Sequence, residues 1–157
     1  MSRYARETQV PTDRSKGEIE RLLRRYGADR ICTGESGVDG QGFVQFELET
    51  RAVRINLPLP SPEQDEFRLT STGRKRGAVA ARDAWTKACR QQWRVLLLIV
   101  HAQLEAIENG VMPVEQAFMP HLLLPNGQTV SELIMPQMEA ALEGRELPKL
   151  LGFKGTS

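Results

Sequence analysis

The sequence predicts an α+β fold: an N-terminal helix, a small antiparallel β-meander, a long spine helix and a C-terminal helical cap. Three observations carry that expectation. Apolar residues alternate with polar ones over 42–57, the period of strands with one buried face. Apolar residues then recur at helical spacing for some thirty residues, from Ala78 to Asn109. The strands stand together and the helices lie on either side of them, which argues against a parallel sheet.

The elements follow in order. In "TDRSKGEIERLLRRYGADR", Asp13 or Ser15 can cap a helix, and Glu18 stands three residues after Ser15, the spacing of a capping box. Ile19, Leu22, Leu23 and Tyr26 make one apolar stripe, and Gly27 ends it, so a helix is expected over about 14–26. A short strand over 30–36 contains Ile31 and Cys32, and "ESGVDGQG" is turn chemistry. "GFVQFELET" and "TRAVRINLPL" read as two strands joined by a turn at Glu49–Thr50–Arg51, and Pro58, Pro60 and Pro62 stop the sheet. "SPEQDEFRLTSTGRKRG" reads as an exposed, mobile connector.

In the long helix, Trp85, Cys89, Trp93, Leu96, Val100, Leu104 and Ile107 share one face. Leu97 and Ile99 widen that face, so the middle of the helix is expected to be buried nearly all round, and Gly110 stops it. Pro113 can open a short helix through Phe118, followed by an apolar extended piece and a Pro-Asn-Gly turn. Thr129 caps the last helix with Glu132 three residues on, Pro136 kinks it or starts another, and Gly144 ends it. One domain over 14–150 is expected, with a flexible arm at 1–13 and a frayed tail at 151–157.

At 157 residues the chain buries roughly two-thirds of its unfolded surface, enough for a core without staples. Its longest apolar run, Val95–Val100, is far short of the ~20 residues of a membrane span, and its N-terminus has no secretory apolar region. Cys32 and Cys89 without a Cys-x-x-Cys pattern fit a reduced, cytoplasmic protein. His101 and His121 lack metal-ligand spacing, and phosphate-loop, dinucleotide and serine-nucleophile motifs are missing. A non-catalytic protein without metal or cofactor is expected.

Charge is the best functional clue. Net charge is +1, yet residues 71–94 hold seven Lys or Arg against one acid, Asp83. Cations at a helix N-terminus oppose the macrodipole, and a broken local rule often marks function. Phosphates would relieve the conflict, through the free amides and the side chains together. The candidate contacts are Arg74, Lys75, Arg76, Arg82, Lys87, Arg90 and Arg94, with Arg51 and Arg54 as extensions across the sheet. Against this stands a solvated helix face with the loop paired to Glu63, Asp65 and Glu66. Trp85 and Trp93 fit either as core plugs, the favoured reading, or as base-stacking aromatics. Arg21, Arg24 and Arg25 read as intrahelical partners of Glu18 and Glu20.

"EIERLLRRYGADR", the Pro-rich end of the strands, "TGRKR" and "LLLPNGQTV" resemble a group of uncharacterised small proteins of tailed phages and prophages, over most of the chain. The resemblance implies a phage gene expressed in the bacterial cytoplasm, and it transfers no site. The order helix, meander, long helix is also similar to the core order of single-strand annealing proteins, a topological analogy only. The expected partner is nucleic acid, single-stranded DNA included, bound by an accessory protein of recombination or replication that assembles for avidity. The alternative is a phage protein that binds and inhibits a host protein, for instance a defence component. A third reading is an oligomeric scaffold that uses Leu122–Leu124, Met135 and Met138 as an interface. No membrane partner is expected.

Overall fold

The computed structural model describes residues 3–36 and 40–144, with side chains from residue 14 onward. The first helix, α1, runs Arg3–Arg25, so residues 3–13, expected as a flexible arm, are helical instead. Pro11 lies inside this extension and removes one backbone hydrogen bond, so no local rule favours it. Residues 37–39 of the Gly-rich turn and everything from 145, including the expected tail, lie outside the described residues.

Three strands, β1 (Asp29–Ser36), β2 (Gln41–Leu48) and β3 (Arg51–Pro58), form an antiparallel meander in the order β1-β2-β3. Val44 pairs with Ile55 and Phe46 with Val53, so the period-2 pattern lays Val44, Phe46, Leu48, Val53, Ile55 and Leu57 on one buried face. Glu49 and Thr50 alone close the hairpin, and both have positive φ, 48° and 68°. Arg51, expected in the turn, is already paired with Leu48. The primed turn matches strand twist even without the usual Asn-Gly.

The long helix α3 (Ala78–Glu108) lies on the buried sheet face beside α1. The two run parallel: Lys16 sits over the Trp93 ring, 5.1 Å from its centroid, while Tyr26 donates to Glu105 and meets the His101 ring edge-on. Trp93 is fully buried over Gly42, where an added Cβ would come within 2.6 Å of the indole. Its Nε1 donates to Glu35 at 2.9 Å, and Glu35 also takes Lys16 at 3.0 Å. The core reading of Trp93 therefore holds, with its polar atom satisfied.

Burial around the middle of α3 differs from expectation. Val95, Leu98 and Ile99 are exposed, Leu98 by 64%. The sheet and α1 cover two sides, and no further layer among the described residues closes the third. The connector differs too. It holds a short helix, α2 (Asp65–Arg68), anchored by buried Phe67, and a Leu69–Lys75 bridge. Thr70 N donates to the Arg74 carbonyl at 2.8 Å and Arg76 N to the Arg68 carbonyl at 2.8 Å. One apolar side chain among Pro and charged residues suffices to tie the segment down.

After α4 (Val114–Ala117) and a 3₁₀ turn (Met119–His121), Leu123 N donates to the Ala52 carbonyl at 2.9 Å and extends the sheet at the β3 edge. The last helix, α5 (Val130–Leu142), opens with the expected capping box: Thr129 Oγ1 accepts from Glu132 N, and Glu132 accepts from Thr129 N. Pro136 lies inside this single helix, and Gly144 (φ 76°) follows its end. Yet α5 buries no residue. It leans on the 3₁₀ turn, with Asn56 donating to Glu132 at 3.3 Å, and completes the expected α+β order with a C-terminal helix.

Candidate functional site

The start of α3 breaks the local rules for a helix N-terminus. Gly77 occupies the cap position without a side-chain bond, and the first turn has no acid. The free amides there have no protein acceptor of the usual kind. Arg74 and Lys75 stand exposed on the small hairpin just ahead, and Arg76 is half-buried. Arg82 borders an open depression of about 420 Å³ with Pro62, Ala78, Ala81 and Trp85. Trp85 Nε1 donates to the Pro60 carbonyl at 2.7 Å, so this ring pins the connector and walls the depression.

Further along, Lys87, Arg90 and Arg94 recur at intervals of three and four and share one side of α3. His101 continues that side one heptad on, and its ring lies 6.3 Å from Tyr26, so the row faces the groove toward α1. None of the seven cations between Arg74 and Arg94 makes an ion pair among the described residues. Pairing with the 63–66 acids, the plainer expectation, is not formed: Glu63 lies 3.8 Å from Arg68 instead.

Among the described residues, Arg21, Arg24 and Arg25 do not form the intrahelical pairs with Glu18 and Glu20 that their spacing predicts. Only Arg14 pairs within the helix, with Glu18 at 3.4 Å, while exposed Arg21, Arg24 and Arg25 make no ion pair among the described residues. Parallel docking of α1 on α3 leaves these arginines exposed on the same helical layer as the Lys87–Arg90–Arg94 row. The signal available in the sequence was the excess of Arg over acid in 14–25. The docking itself was not legible.

Arg51 and Arg54 are not part of that surface. Arg51 pairs with Glu115 at 2.8 Å, a bond that holds the Glu115 carboxyl below its usual range. Arg54 lies on the opposite, open face of the sheet, stacked 4.9 Å from the Phe43 centroid, with Nε donating to Asn56 at 3.2 Å. Phe43 in turn lies flat on Gly34, where no Cβ would fit.

Protonation is perturbed at few groups. Burial pushes the Cys89 thiol up to about 11, so at neutral pH it is a thiol and a poor nucleophile. The Tyr26–Glu105 bond raises the phenol and lowers the carboxyl. No three His, Cys, Asp or Glu among the described residues converge on a metal position, and no described helix is long and apolar enough to cross a membrane. No family model, curated protein or solved structure matches the chain.

Proposed function

We propose that this is a phage-encoded, non-catalytic nucleic-acid-binding accessory protein of recombination or replication. One observation carries the reading: seven cations between Arg74 and Arg94 without an ionic partner among the described residues, gathered at the uncapped start of α3 and along its exposed side. A phosphate at the first turn accepts from the free amides and meets Arg74, Lys75 or Arg82. The backbone then follows Lys87, Arg90 and Arg94, about 10 Å of helix and roughly three nucleotides of one strand. Such contacts position a strand without reading its sequence.

Fluorescence anisotropy with labelled single- and double-stranded DNA at several salt concentrations tests it. Log affinity should fall linearly with log salt, by roughly 0.7 per phosphate contact for a single strand and 0.9 for a duplex. Replacing Arg90 and Arg94 together by Ala should weaken binding and flatten that slope, with an unchanged melting temperature. No binding at low salt, or an equal loss of folding in the variant, defeats the reading. The exposed Val95, Leu98 and Ile99 favour the alternative, a host protein docked on α3. A stoichiometric host protein that co-purifies, without DNA binding, would select it.

A further inference from the structure

Two helices present faces that no described residue covers. On α3, Ala84, Ala88, Gln91, Val95, Leu98 and Ala102 recur at alternating intervals of four and three, the seam spacing of a coiled coil. All six are exposed or half-exposed, on the side away from the sheet. On α5, Ser131, Met135, Met138 and Leu142 repeat at intervals of four, three and four, with Leu142 82% exposed. A helix of 13 residues that buries nothing is marginal in water, where isolated helices need ~12–15 residues even with good propensity. Both faces are apolar surface left open to water.

Charge identifies the occupant. Lys87 and Arg94, seven residues apart, flank the α3 seam, and exposed Glu139 flanks the α5 seam one heptad beyond Glu132, whose carboxylate already accepts from Thr129 N and Asn56. Seen from their N-termini, the cationic row lies counterclockwise of its seam and the acidic row clockwise. When the two helices pack parallel with seams facing, both rows fall on the same edge, where opposite charges meet. An antiparallel pair of α3 helices would instead align two cationic rows along one edge. Within one chain α5 is tied to β3 by Asn56, which donates to Glu132, and the segment before it by the Val53–Leu122 bridge and the Leu123 N to Ala52 bond.

We infer that α5 of one copy docks parallel on the outward face of α3 of a second copy. Mutual exchange of the two helices closes a two-fold dimer. Arg74, Lys75, Arg76, Arg82 and Arg90 stay clear of the contact, Lys87 and Arg94 lie at its edge, and the inference does not depend on nucleic-acid binding.

Sedimentation velocity on the full chain tests it, with circular dichroism to confirm folding. The wild type should sediment as a dimer at high concentration. Leu98→Asp and Met138→Asp should each give a folded monomer, because both side chains are exposed within one chain. Arg94→Glu and Glu139→Arg should each weaken the dimer up to roughly 25-fold, about fivefold for each of the two symmetric exposed pairs, and the double exchange should restore it. A wild-type monomer at every concentration overturns the inference. So does a dimer that survives Met138→Asp, a double exchange without recovery, or a different protein found on the α3 face.

Discussion

The two longest helices after the sheet begin in opposite ways. α5 has a complete capping box, with an acid in the first turn, and then buries nothing. α3 has no side-chain cap and no acid in its first turn, follows a run of three cations, and then buries Thr86, Cys89, Trp93, Leu96, Val100 and Leu104. Local chemistry holds the start of α5 because tertiary contact gives it little. Tertiary contact holds α3, which leaves its first turns free to carry charge that no stability argument asks for. The weak start of α3 is therefore the place where function has room.

The largest break in that comparison is Trp93→Ala. It removes the burial that carries α3, opens the space over Gly42 and leaves Glu35 with Lys16 as its remaining partner. A loss of roughly 3–5 kcal/mol is expected in urea denaturation, far above any change at the surface of the same helix. Thr129→Ala strikes the other helix by the other mechanism. Removal of its cap should cost about 1 kcal/mol, seen chiefly as lost helical signal from α5 with the core intact. Gly77→Asp makes the start of α3 resemble that of α5. An added Cβ meets nothing within 4 Å there, and the new carboxylate caps and complements the dipole. A gain of a few tenths of a kcal/mol in stability is expected, with weaker DNA binding in the anisotropy assay. A gain without that loss would detach the helix start from the function.

The smallest effect is on pH. Burial lowers the His121 pKa from its ordinary 6.5. Below that value the unfolded chain takes up a proton that the folded chain resists, so stability falls as pH drops through it. His121 sits in the turn that supports α5, so mild acid should loosen α5 before the core. His121→Gln should flatten the pH dependence of the α5 signal, whatever its effect on absolute stability.

Much of this was legible beforehand. The bounds of α3 follow from an apolar period that starts after Gly77 and stops at Gly110. The capping box is visible in Thr129 and Glu132, and the meander in the alternation through Val44, Phe46, Val53 and Ile55. These are effects of neighbours a few residues apart, and they leave their mark in spacing. What the tertiary structure alone decided is which sides of those elements meet anything. Lys16 closes on Trp93 and Glu35, Tyr26 on Glu105, and Arg51 on Glu115, pairs far apart in sequence. The same docking sends Arg54 to the opposite face and leaves Leu98 and Ile99 in water. Periodicity tells that a helix has an apolar side, but burial depends on how many layers arrive to cover it. Among the described residues the sheet, α1 and the short helices α2 and α4 arrive, so the charges and apolar residues on the remaining side of α3 stay available to partners.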